Sequence, residues 1–299
     1  MSVGTFDGVH LGHRAILARL QDVASRRGLE RVVLAFVLPP RCAMQRSEAT
    51  RCLLAPLPVR AALLRPHADR LEWVSFPDVR RQTAQAFVEG TLVGKLGAEV
   101  VVVGERFRLG HHRDGDVALL RCLLGNDNVV AVPEIVHDGE KVSSSRIREL
   151  LARGRIRDAS TLLGRPPVFT GVVERGDGIG ASLGYPTANL APPAHQLMAA
   201  DGVYLALAYG AGVAEHGLLY IGYRPTLAGT EHRVELHLLR PPVEALDGDH
   251  FEVHLLERVR DDRRFEGLHD LREALARDVD AARRRLVEGG LPLPRRIVG

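Results

Sequence analysis

Lysine is nearly missing from this chain. Of 40 basic side chains only Lys95 and Lys141 are lysine; the rest are arginine. The formal net charge is only +3, and acidic residues are interspersed with the arginines, so the composition carries no nucleic-acid footprint. Cysteine is sparse too. Cys42, Cys52 and Cys122 lack metal-ligand spacing, and three thiols give no reason to expect a disulfide framework. No apolar run approaches the roughly 18 residues of a membrane span, and the N-terminus lacks a signal-peptide pattern, so the expectation is a cytoplasmic enzyme without a membrane partner. Neither G-x-x-x-x-G-K-[ST] nor G-x-G-x-x-G occurs, so the commonest phosphate fingerprints are absent.

What is present is enough chain for two domains. The 299 residues, 45% hydrophobic and 26% charged, are typical of globular proteins, and that length accommodates two cores of ordinary size. No internal repeat is apparent.

Residues 176–189 read Gly-Asp-Gly-Ile-Gly-Ala-Ser-Leu-Gly-Tyr-Pro-Thr-Ala-Asn. Gly176, Gly178, Gly180 and Gly184 let the backbone take positive φ and approach a ligand closely, which phosphate groups exploit. Thr187 and Asn189, after Pro186, lie two apart and share one face of an extended chain. Hard oxygen donors beside a phosphate loop suit Mg²⁺, which completes its shell with phosphates and water. The alternative is a surface loop leading into a strand.

The chain begins almost directly in Gly4-Thr5-Phe6-Asp7-Gly8-Val9-His10-Leu11-Gly12-His13, with residues 1–5 too few for a strand plus a tail. Ile16, Leu17, Leu20, Val23 and Ala24 follow at helical spacing, with Gly28 as the stop. Apolar runs over 31–36, 97–104 and 129–132 read as strands covered on both faces. Strand, helix and strand make a βαβ unit with a parallel sheet. His10 and His13 then lie at the sheet's carboxyl edge, beside a helix start that favours anions. A single histidine there is more often a cap; two around Gly12 point to phosphate. His67, His111 and His112 have no partners at ligand spacing and read as surface histidines.

His-Leu-Gly-His resembles the HxGH signature of nucleotidylyltransferases, and Ser143-Ser144-Ser145-Arg146-Ile147-Arg148 resembles their S-S-T-x-I-R. That likeness implies that His10 and His13 stabilise charge on an ATP α-phosphate. It also implies that Gly4, Asp7, Gly8, Gly12, Ser143, Ser144 and Arg146 grip phosphates. Ser145 alone could equally cap the helix that follows. Two stretches depart from the family pattern: Pro39 replaces a histidine, and Arg106 replaces an Asp or Asn.

Gly164-Arg165-Pro166-Pro167 is a strong breaker, and the expected domains are 1–164 and 165–299. Beyond it, runs over 169–173, 202–208, 217–223, 233–239 and 251–256 alternate and are rich in β-branched and aromatic residues, as in a small antiparallel barrel. Phe265, Leu268, Leu271, Leu275 and Val279 outline a final helix. In Val234-Glu235-Leu236-His237-Leu238, alternation puts Glu235, His237 and Leu239 on one face. Glu235 is then a wet-face carboxylate or a general base.

Residues 164–280 resemble riboflavin kinase through Gly-Arg-Pro, the glycine loop with Pro-Thr-Ala-Asn, Gly202-Val203-Tyr204, the run Ile221-Gly222-Tyr223-Arg224-Pro225-Thr226, and Val-Glu-x-His. With the front signatures, the chain resembles the bacterial bifunctional riboflavin kinase/FAD synthetase family over nearly its full length. The resemblance implies a Rossmann-like α/β domain followed by a riboflavin kinase-like β-barrel ending in a helix. It implies phosphorylation of riboflavin to FMN at the rear, and adenylylation of FMN to FAD with release of pyrophosphate at the front. Thr187 and Asn189 would hold MgATP, Glu235 would activate the riboflavin hydroxyl, and Arg224 and Thr226 would contact flavin. ATP and Mg²⁺ are implied, with no tightly bound redox cofactor. Ala181 stands where the family usually carries Arg. The alternatives are a kinase whose front half is impaired in adenylyl transfer, as Pro39 and Arg106 suggest, and a flavin-binding protein without turnover. The sequence leaves oligomeric state open.

Overall fold

The computed structural model describes residues 1–44, 51–176, 178–226, 229–240 and 247–298, with the backbone alone for Arg41, 224–226 and 229–231. The chain divides into two compact units, Met1–Leu53 with Leu57–Ser144, and Leu54–Pro56 with Ser145–Gly299.

The first unit is built on a five-stranded parallel sheet in the order β3-β2-β1-β4-β5. Its strands are β1 (Ser2–Gly4), β2 (Val32–Phe36), β3 (Arg70–Val74), β4 (Val101–Gly104) and β5 (Val129–Val132). The three residues of β1 are a central strand, pairing with β2 and β4. The sequence undervalued them because a strand this short has no periodicity of its own. Side-chain alternation divides the core. Val33, Ala35 and Val102 pack with Leu17, Leu20 and Val23 of α1 (Leu11–Arg27) on one face. Val32, Leu34, Val101 and Val103 pack with Leu92 and with Leu120 of α3 (Val117–Leu124) on the other. Each buried valine or leucine among them contributes about 1.5–3 kcal/mol. Gly28, at φ 67°, ends α1 as the sequence suggested. Helix α2 (Leu57–Leu64) carries a fully buried Arg60, and a small hairpin pairs β6 (Val136–His137) with β7 (Glu140–Lys141).

One expectation needs correction. Cys42 and Cys52, ten residues apart with Cα atoms 6.1 Å from each other, form a disulfide, and only Cys122 is free. Spacing carried no sign of it because the approach of the two cysteines is set by the folded structure and not by a motif. Among the described residues no cluster of three or more His, Cys, Asp or Glu could hold a metal, and no helix is long and apolar enough to cross a membrane.

The second unit contains α4 (Ser144–Ala152) from Ser145 onward, α5 (Ile156–Leu163), and a closed antiparallel barrel in the order β10-β11-β12-β9-β8-β13. The strands are β8 (Val168–Glu174), β9 (Ala188–Ala191), β10 (Gly202–Gly210), β11 (Val213–Thr226), β12 (Gly229–Leu238) and β13 (His250–Asp261). Closure removes exposed edges. Val203, Leu205 and Leu207 face α6 (Leu268–Glu288), packing with its Val279 and Ala282. The intervening Tyr204, Ala206 and Ala208 are also buried. This double cover makes β10 read as an unbroken apolar run. Arg260 of β13 grips buried Asp278 of α6 with three N–H···O contacts of 2.8–3.0 Å; such two-pronged pairs combine strength with fixed orientation.

The chain's last residues are fastened to the barrel. Buried Glu252 accepts the amides of Ile297 at 2.6 Å and Val298 at 2.7 Å, while His254 Nε2 donates to it at 2.6 Å. The Tyr209 hydroxyl donates to the Pro294 carbonyl at 2.5 Å. Burial opposes ionisation of Glu252, but the hydrogen bonds from His254 and the two amides outweigh it and hold the carboxyl below its ordinary 4.5. A depressed folded-state value means stabilisation present above the unfolded-chain pKa and lost as pH falls through the folded one. Acidification below the ordinary glutamate range is therefore expected to release the tail. Glu252→Gln should do so at neutral pH, read as faster hydrogen exchange at the Ile297 and Val298 amides.

Candidate functional site

Two sites are built separately, one in each unit. In the first, β1 ends at Gly4 and α1 begins at Leu11, so residues 5–10 form the turn at the carboxyl edge of the central strand. Phe6 (φ 46°) and Val9 (φ 41°) are held in the left-handed region, with Gly8 at φ 82°. For a β-branched residue such as Val9 that conformation is strained, and it persists only where surroundings enforce it. Phe6, Asp7 and Val9 are buried. Behind the turn, the guanidinium of Arg60 donates to the Thr5 carbonyl at 2.9 Å and to the Val37 carbonyl, and lies 5.0 Å from the Trp73 ring centre. The sequence offered one clue to this anchor: a lone charge in the apolar run Leu-Pro-Val-Arg-Ala-Ala-Leu-Leu.

His10 is the N-cap of α1, its Nδ1 accepting the His13 amide at 3.3 Å, and the two rings stack with centres 3.7 Å apart. The capping and functional readings of His10 are therefore compatible. Gly12 keeps the stack possible: a Cβ there would meet the His10 ring at 3.1 Å. Burial, reinforced by His10 and then Arg60, holds the His13 pKa well below 6.5. His13 is thus a neutral donor–acceptor, and its Nδ1 is shielded from solvent with no hydrogen-bond partner among the described residues. Ser144 Oγ donates to the Asp7 carbonyl at 2.9 Å, joining the two front signatures across 137 residues. Ser143 is half-buried beside it, whereas Arg146 lies on α4 in the second unit.

His13 lines a cleft of about 820 Å³ in the first unit together with Gly4, Phe36, Phe76 and Phe107. The departure residue Arg106 also lines it, 3.3 Å from Glu134. His111 and His112, read from sequence as surface residues, border the same cleft.

In the second unit the glycines divide by task. Gly178 (φ 69°) and Gly184 (φ 88°) turn the chain on either side of the short helix Ile179–Ser182. At Gly176 and Gly180 it is space that matters: a Cβ would fall 1.8 Å from Asn189 Nδ2 and 2.5 Å from the Tyr185 carbonyl. The loop thereby folds onto β9. Antiparallel pairing of β9 with β12 sets Asn189 opposite Glu235, and the Thr187 hydroxyl donates to Glu235 Oε2 at 3.4 Å. Glu235 is 7% exposed, which excludes the wet-face reading. His237 Nδ1 donates to the Pro186 carbonyl at 2.9 Å, and burial lowers its pKa, so it is a neutral strut for the loop. Thr187, Asn189 and Glu235 therefore form one cluster of hard oxygen donors, the set a divalent cation with bound phosphates prefers. The side chains of Arg224 and Thr226 lie outside the described residues.

Comparison with known proteins decides what the two sites belong to. The FAD synthetase family model matches residues 1–146, and the riboflavin kinase (flavokinase) model matches residues 163–286. A bifunctional riboflavin kinase/FMN adenylyltransferase of Escherichia coli K12 is 34% identical over 290 residues, covering 95% of this chain and 91% of that protein. The chain belongs to the bifunctional riboflavin kinase/FMN adenylyltransferase family. The Pseudomonas fluorescens relative of the same description is 35% identical, covering 94% of this chain and 91% of that protein. A solved Streptococcus pneumoniae structure, described as a macrolide-efflux protein, matches with TM-score 0.84 at 27% identity, covering 94% of this chain and 93% of that one. As a member of this family the chain phosphorylates riboflavin to FMN and adenylylates FMN to FAD with ATP. The kinase-only alternative is not favoured, since both halves match their models.

The lowered His13 pKa has a measurable sign. A buried neutral histidine takes up its proton on unfolding, so stability falls as pH drops below about 6.5. In an imidazole NMR titration of the intact chain, His13 should take up its proton only well below pH 6.5.

Proposed function

We propose that riboflavin phosphorylation is carried by Glu235, with Mg²⁺ held by Thr187 and Asn189 and the ATP phosphates received by Gly176, Gly178, Gly180, Gly184 and Pro186. The observation that carries the proposal is the 3.4 Å contact between Thr187 and Glu235, with Asn189 directly opposite in the register. When bound, Mg²⁺ would neutralise charge on the transferring phosphoryl group. Glu235 accepts the proton of the riboflavin 5′-hydroxyl as that oxygen attacks the γ-phosphorus of ATP, and ADP leaves. Little covalent help is needed, so positioning dominates. Arg224 and Thr226 are proposed to contact flavin on the strength of the motif alone.

At the front, the FMN phosphate oxygen attacks the α-phosphorus of ATP and pyrophosphate departs. His13 is assigned to hydrogen-bond the α-phosphate, supported by its place in the wall of the cleft and by its neutral ring. His10 orients it by stacking and caps α1, whose free amide ends favour anions. Gly4, Asp7, Gly8, Gly12, Ser143, Ser144 and Arg146 are assigned to the phosphates. The tie from Ser144 to Asp7 supports a shared site for these motifs. The functional boundary is placed near residue 165, as the flavokinase match beginning at residue 163 suggests. A cytoplasmic setting follows from the demand for ATP; no nucleic acid or membrane enters the proposal.

With products separated by chromatography, Glu235→Ala should reduce FMN formation at least about a hundredfold while FAD still forms from supplied FMN. His10→Ala with His13→Ala should give the reverse. Loss of both activities in either variant would overturn the assignment to independent sites.

A further inference from the structure

The cleft of the first unit holds more positive charge than His10, His13 and the serines account for. Arg80, Arg81, Arg106, Arg108 and Arg113 all line it, and no lining residue is acidic. They are not equivalent. Arg106 is paired with Glu134 at 3.3 Å and Arg108 with Asp116 at 3.2 Å. Arg80, Arg81 and Arg113 form no ion pair among the described residues.

These three come from two segments that the fold binds tightly to each other. The His111 amide donates to the Gln82 carbonyl at 2.8 Å. A Cβ on Gly110 would fall 2.5 Å from the Ala84 nitrogen, and one on Gly115 would fall 2.4 Å from the Ala84 Cβ. His112 (φ 56°) and Arg113 (φ 62°) are consecutive non-glycine residues in the left-handed region. Such strain is maintained where surroundings over-determine it and concentrates at ligand sites. The arrangement sets cationic side chains in one cleft with an apolar wall that includes Phe36, Phe76, Phe87 and Phe107.

We propose that Arg80, Arg81 and Arg113 are specificity residues of adenylyl transfer that bind the phosphomonoester of FMN and so select the phosphorylated flavin over riboflavin. The inference rests on the reading that FMN and ATP meet in this cleft. The ATP phosphates are assigned to the β1–α1 turn, and the aromatic wall suits a flat flavin ring. A phosphomonoester carries close to two negative charges near neutral pH, and guanidinium groups bind it in two-pronged fashion. Unpaired arginines also relieve the repulsion between two anionic substrates brought into one cleft.

The test is steady-state FAD formation by the full chain, comparing wild type with Arg80→Gln/Arg81→Gln and with Arg113→Gln. The probe for flavin without phosphate is 5′-deoxyriboflavin, which lacks the hydroxyl the kinase would phosphorylate and is assayed for inhibition against FMN. The KM for FMN should rise about tenfold or more, the KM for ATP should stay within about twofold, and 5′-deoxyriboflavin inhibition should not change. An unmoved FMN KM overturns the proposal. So does an increase confined to ATP, or a parallel loss of 5′-deoxyriboflavin binding, which would mark the arginines as ring contacts. Unchanged riboflavin phosphorylation checks that the chain is folded; if the double variant fails it, Arg80→Gln and Arg81→Gln are read singly. If His10→Ala with His13→Ala leaves FAD formation intact, the reading of the cleft fails; if only the arginine variants leave it unmoved, the phosphate clamp alone fails.

Discussion

The rear site depends on one registration, Glu235 opposite Asn189. In a β-ladder the side-chain period is two, so a slip of a single residue would turn Glu235 away from Thr187 and bring Leu236 or Val234 into its place. Both neighbours are buried apolar residues, and barrel closure leaves no free edge along which β12 could slide. Packing on the opposite face therefore fixes a polar arrangement that has little strength of its own. The glycines complete it, since Asn189 occupies volume that a side chain at Gly176 would need.

The front unit reaches comparable rigidity by other means. A buried guanidinium links the carbonyls that leave β1 and β2, and a serine hydroxyl far along the chain takes up the Asp7 carbonyl. Burying a cation is costly unless its donors are satisfied. Arg60 meets that condition in part: its two terminal nitrogens donate to carbonyls that a turn between strand and helix would otherwise leave open, while its buried Nε has no partner among the described residues. Its charge also helps to keep His13 neutral, so the same side chain shapes both the path of the turn and the state of the group the turn presents.

Much of this was legible in the residues. Alternation in 233–239 identified the face of Glu235, the spacing of Leu17, Leu20 and Val23 identified α1, and the spacing of Thr187 and Asn189 placed them on one side. The architecture of a parallel sheet followed by a closed barrel agrees with the expected α/β plus β class. What escaped has physical causes. β1 is too short to show a period, and β3 (Arg-Leu-Glu-Trp-Val) is half-buried throughout and mixes charge with apolar residues. The Cys42–Cys52 pair and the joining of Arg80, Arg81 and Arg113 in one cleft are tertiary facts that spacing does not encode.

The fastening of the C-terminal residues has a bearing on how this chain can vary. The atoms held are the Pro294 carbonyl and the Ile297 and Val298 amides, all of them main chain. Almost any side chain is compatible with such contacts, apart from a proline at positions 297 or 298, which would remove a donor. The fastening therefore depends on how many residues separate these main-chain atoms more than on the side chains they carry.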